Sequence, residues 1–163
     1  MQKSFKSVIF QAFFFMGLLF VLNLSLRAVF ILCFKDGVNG VNLGEFALFF
    51  YNAFRYDGQI IGVMSVVFFF LALLPKEKIV KIYAFLVIFI STFVSVANIG
   101  FYGIYQDVFN ASLLGLIYDD RKAIFETALG ADYGLTYKVL LWLVVSVLFY
   151  ALWAFFHAQI AKI

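Results

Sequence analysis

The sequence predicts an all-α fold: a polytopic membrane helix bundle with about four transmembrane helices plus two interfacial helices. Three observations carry that expectation. The 163-residue chain is 66% hydrophobic and only 13% charged, with 24 phenylalanines, and its mean hydropathy is +1.05. A water-soluble domain of this size cannot hide that much apolar surface, because much of any small protein faces water. The apolar residues also fall in long runs, and a run of roughly 20 is what crosses a bilayer. Strict alternation is absent, and unpaired backbone groups are costly in hydrocarbon, so the runs become helices rather than barrel strands. The same composition excludes a soluble enzyme, a disordered tail and a nucleic-acid-binding domain. One proline and one cysteine exclude collagen-like, proline-rich and disulfide-stapled chains.

The first span covers about Val8 to Phe34, interrupted by Gln11, Asn23 and Arg27. Lys3 and Lys6 precede it, as in a signal peptide. It is too long for such a segment, however, and no A-x-A site follows, so it is a retained anchor. Leu43 to Phe54 is apolar but too short to span. Asn42 and Glu45 form a capping-box signature ahead of it. This helix, about 43–54, is expected to lie in the interface or to dip in as a re-entrant piece. The second span, about Gln59 to Leu74, is short by itself. Pro75-Lys76-Glu77-Lys78 makes a tight turn into the third span, about Ile79 to Tyr105. Asn110 is an N-cap candidate for a second interfacial helix, about 110–129. There Leu113, Leu116, Ile117, Ile124, Phe125 and Ala128 recur at helical spacing, and Asp119-Asp120-Arg121-Lys122 interrupts them. A surface helix, two helices broken at Asp119-Asp120, and a solvated charged turn all remain open. Gly130 and Gly134 lead into the fourth span, about Tyr137 to His157. No internal repeat is evident.

Basic residues set the orientation. With the N-terminus in the cytoplasm, the inner segments hold Lys3, Lys6, Lys76, Lys78, Lys81 and Lys162 against Glu77 alone. The outer segments hold Lys35, Arg55, Arg121, Lys122 and Lys138 against eight acidic residues. The basic balance therefore reports topology.

Ionisable and polar groups inside spans point to function. Arg27 lies in the outer half of the first span, with Asn23 one turn earlier on the same face. It either faces the bundle interior, able to hold a lipid phosphate, or snorkels to the interface as an anchor. Ser91, Ser95, Asn98, Tyr102 and Tyr105 step by four, three, four and three, drawing one polar stripe along the third span. The serines alone would suit close helix packing. Arg55-Tyr56-Asp57 stands at the outer mouth of the second span, where Arg55 and Asp57 can pair locally or each face a ligand. The sequence thus predicts a cavity near the outer leaflet, lined by Arg27, Arg55, Asp57, Asn98 and Tyr102, for a phospholipid head group. The planar fork of arginine suits phosphate. Cys33 and His157 are single and have no ligand-spaced partners. Cys33 is expected as a small apolar filler and His157 as an inner-interface residue. No phosphate-binding glycine loop and no nucleophile-base pair is present, so this segment alone carries no catalytic residues and no cofactor.

The run Phe46-Ala-Leu-Phe-Phe-Tyr-Asn-Ala-Phe-Arg-Tyr-Asp57 resembles the F-x-x-G-x-R-F-D segment in the membrane part of lipoteichoic-acid-synthase-like proteins. Arg27, Asn98-Ile-Gly-Phe-Tyr-Gly-Ile-Tyr105, and Phe109 to Glu126 are similar to that family as well. Ala53 stands where the family often has glycine, and Asn98 where an acidic residue is common. The resemblance implies the N-terminal membrane portion of a sulfatase-family lipid head-group transferase in a bacterial inner (cytoplasmic) membrane. The parent would be an enzyme that moves phosphoglycerol or phosphoethanolamine from a phospholipid to an acceptor. A divalent metal (Mn, Mg or Zn) would sit in a C-terminal extracytoplasmic domain absent from this chain. The membrane part would anchor that domain and present donor lipid. Tyr105 would join the head-group residues, and Asn110, Asp119, Asp120 and Arg121 could contact the catalytic domain. A small non-enzymatic membrane protein, such as an assembly factor or transporter subunit, is the alternative. A small channel or carrier is third, and such proteins often carry repeats.

Overall fold

Length and apolar content make four helices here, and a computed structural model describes residues 4–34, 42–105, 126 and 134–160. Helix α1 is Phe5–Cys33, α2 is Leu43–Leu73, α3 is Glu77–Tyr105 and α4 is Leu135–Ile160. All four are long and apolar enough to cross a membrane, and there is no strand among the described residues. A helix of 29 residues is about 44 Å long at 1.5 Å per residue. Each helix therefore outreaches a hydrocarbon core of about 30 Å.

Local signals set the ends. Asn42 and Glu45 form the anticipated capping box: the Asn42 side chain accepts from the Glu45 N–H at 2.9 Å, and Glu45 accepts from the Asn42 N–H at 3.2 Å. Between α2 and α3 the chain turns at Pro75, and the Ile79 N–H donates to the Lys76 carbonyl. Gly134 precedes α4 with a φ of +58°, a conformation that costs glycine little.

One expected element is corrected. The separate interfacial helix over 43–54 is the first third of α2, which runs unbroken to Leu73. Arg55, Tyr56, Asp57 and Gln59 are polar, but none breaks a helix. Nothing between Leu43 and Leu73 is proline, so the backbone hydrogen bonds continue. The second interfacial segment, 110–129, falls almost wholly outside the described residues.

Neighbouring helices run antiparallel. Phe5 of α1 meets Phe69 of α2, and the Ser7 hydroxyl donates to the Ile160 carbonyl of α4 at 2.9 Å. The starts of α1 and α3 and the ends of α2 and α4 thus share the Pro75 end. Helices α1 and α3 form the diagonal contact of the bundle, with α2 on one side and α4 on the other. Lipid tails are as apolar as leucine, so close contact rather than water exclusion holds such helices together. Near the Pro75 end Phe15 stacks on Phe68 at 4.4 Å between ring centres, and Trp153 meets both rings edge-on. Toward the far end Phe89 and Phe93 of α3 close against Trp142 of α4, whose indole N–H donates to the Phe89 carbonyl at 3.0 Å.

His157, in the last turn of α4, is buried against the Trp153 ring at 4.7 Å. Its position four residues after Trp153 sets it on the same helix face. Cys33 is exposed at the end of α1 and fills no core gap.

Candidate functional site

The polar residues of three spans converge in the half of the bundle away from Pro75. Arg27 of α1 and Asp57 of α2 form a bidentate ion pair. The Arg27 Nε donates to Asp57 Oδ2 at 2.9 Å, and Nη2 donates to Oδ1 at 2.8 Å. The side chains are 33% and 21% exposed. Two parallel charge-assisted bonds fix direction as well as distance. A membrane-embedded charge needs such a partner.

Beside the pair lies a cavity of about 590 Å³, within the range of roughly 300–1,000 Å³ common for ligand sites. Asn23, Arg27, Asp57, Ser91, Ser95 and Asn98 supply its polar lining; leucine, isoleucine, valine, methionine and phenylalanine side chains from α1, α2 and α3 supply the rest. The step of four and three that aligns Ser91, Ser95 and Asn98 on α3 turns all three toward this space. Short side chains there leave room that the bulky residues of the α3–α4 seam do not. Asn23 donates to the Leu19 carbonyl of its own helix at 3.0 Å.

The structure brings together Arg27, Asp57 and Asn98, as the sequence predicts, and it separates Arg55 from them. Arg55 is exposed, with its guanidinium over the Tyr56 ring at 5.8 Å. Residues two apart on a helix point to different sides, so once α2 is continuous Arg55 can neither pair with Asp57 nor share its cavity. Tyr102 stands next to the cavity instead of lining it. Its ring packs on Phe30 and Phe34 at 5.0 and 4.6 Å, and Phe30 is the lining residue. Tyr105 is the last residue of α3, and its side chain lies outside those described. Asn110, Asp119, Asp120 and Arg121 lie outside the described residues altogether. Sequence reasoning misses the Arg27–Asp57 pair because it sets Asp57 at the outer mouth of a span beginning near Gln59, with Arg55 as its nearest partner. The missing signal is the proline-free continuity of residues 43–73.

Comparison with known families, with curated proteins and with solved structures finds no match for this chain. Fold and composition therefore define its class: an all-α, multi-pass membrane protein.

Proposed function

We propose that this chain is the membrane domain that anchors an extracytoplasmic phosphoglycerol or phosphoethanolamine transferase and presents its donor phospholipid. The observation that carries the reading is the ion pair set in the wall of a cavity with polar lining from three spans. Arginine has five N–H donors. Asp57 engages two, so three remain for phosphate oxygens. The cavity is mostly apolar with a few convergent polar groups, which suits an amphiphile. Because Asp57 offsets the charge of Arg27, the site favours a head group that balances its own phosphate, and phosphoethanolamine does so. On this reading the N-terminus is cytoplasmic, the membrane is a bacterial inner membrane and the cavity lies in the outer leaflet. The divalent metal and the nucleophile would belong to the C-terminal extracytoplasmic domain. The sequence resemblance to lipoteichoic-acid-synthase-like proteins supports the assignment.

Native mass spectrometry of the protein isolated from its own membrane tests both halves. The expected spectrum shows a parent heavier than 18.6 kDa with one phospholipid retained, and Asp57→Asn shifts retention toward anionic lipids. A bare protein of 18.6 kDa with no lipid would overturn the proposal.

A further inference from the structure

We infer that the lipid reaches this cavity sideways, through an apolar mouth between α2 and α3, and leaves one acyl chain in that mouth while its head group sits at Arg27 and Asp57. The inference rests on the head-group reading above and adds the route and the seat of the chain.

Among the described residues, side-chain contacts bridge the other seams around the cavity. Between α1 and α2 stand the ion pair and the Phe20–Phe54 stack at 4.9 Å, and Gly58 lies under the Phe20 ring. Between α1 and α3 stand Phe30, Phe34 and Tyr102. Toward Pro75 the Tyr83 hydroxyl donates to the Met64 carbonyl at 2.9 Å, joining α3 to α2 just where the cavity begins. The remaining wall is different. Ile60 of α2 and Ile90 and Val94 of α3 line the cavity yet are 58%, 53% and 48% exposed, and Phe49, nearer the start of α2, lines it at 45% exposed. Residues that face both a cavity and the outside stand at its mouth. Ile60, Ile90 and Val94 sit well inside membrane-spanning helices, so the mouth they form opens on lipid.

Chemistry selects the occupant. To enter through this mouth, a polar solute from water would have to cross an apolar lip inside hydrocarbon, shedding its hydration. An acyl chain exchanges one apolar contact for another, since lipid tails match leucine in polarity. Its covalently attached head then arrives beside Ser91, Ser95 and the ion pair. One amphiphile satisfies both parts of the cavity.

The test is lipid exchange on the full chain, followed by native mass spectrometry. Retained phosphatidylethanolamine is replaced by deuterated phosphatidylethanolamine from mixed micelles. Ile60→Trp and Val94→Trp narrow the mouth and slow the exchange about tenfold, equivalent to about 1.4 kcal/mol of added barrier. Ile90→Ala widens it and speeds the exchange. Val147→Trp, on the exposed face of α4, exchanges at the original rate. Glycerophosphoethanolamine, which has the head group but no acyl chain, fails to displace the lipid. If lipid is retained but all variants exchange alike, or if glycerophosphoethanolamine displaces it equally well, the side passage is overturned and the head-group reading stands. If the unsubstituted chain retains no lipid, both are overturned.

Discussion

On its α2 side, helix α3 turns Ser91, Ser95 and Asn98 toward a cavity; on its α4 side it turns Phe85 and Phe89 against Tyr150 and Trp142, with ring centres 5.4 and 4.4 Å apart. The two faces belong to one helix in one solvent. What differs is side-chain size and polarity at positions about a turn apart. Large rings fill the α4 seam, where dispersion contacts are many and individually small. Short hydroxyls and an amide leave the α2 seam open and supply hydrogen-bonding groups to it. The first seam holds the bundle together; the second has the properties of a binding site.

Substitutions can break or sharpen this contrast. The largest loss is expected where α1, α2 and α4 meet near Pro75, a region filled by rings like the α4 seam. Phe15→Ala empties the space between Phe68 and Trp153 and should cost about 3 kcal/mol, read as a lowered unfolding midpoint in detergent. An unchanged midpoint would mean that these rings do not hold the bundle. Next comes Arg27→Ala, which leaves Asp57 without its charge partner. We expect about 2 kcal/mol, below the range for a fully buried pair because a third of Arg27 is accessible, together with loss of the retained lipid. Replacing both residues by alanine should recover part of the stability and none of the lipid, and a double-mutant cycle measures the coupling. A smaller effect, about 1 kcal/mol, is expected for Trp142→Phe, which keeps the ring but removes the hydrogen bond to Phe89; thermal unfolding with lipid retention as a second readout should show stability falling and retention holding. The smallest is Arg55→Ala, expected within about 0.5 kcal/mol of the parent as an exposed position. Its lipid retention should match the parent in the same spectra, and a loss there would return Arg55 to the site.

The spans were legible because hydropathy and helical periodicity are local properties, and the α2 N-terminus because a capping box needs only Asn42 and Glu45. The α3 stripe was legible for the same reason: four-and-three spacing puts Ser91, Ser95 and Asn98 on one face whatever surrounds them. The partner of Arg27 was not. Which of two arginines meets Asp57 depends on how far α2 extends and how it rotates against α1. A 31-residue helix carrying Arg55 and Asp57 on different faces decides the matter by geometry that no window of sequence contains. The burial of His157 is likewise set by contacts distant in sequence, since the end of α4 leans on α1 with Ser7 tied to Ile160.

The diagonal contact of α1 with α3 has a mechanical consequence. Helix α2 rests on that pair from one side, and shares little with α4 beyond the meeting of Phe68 and Trp153 near the turn. It is therefore held chiefly by α1, through the Phe15–Phe68 and Phe20–Phe54 stacks and the ion pair. The Tyr83–Met64 bond fastens α2 to α3 nearer the turn, and the arginine–aspartate clasp fastens it to α1 further out.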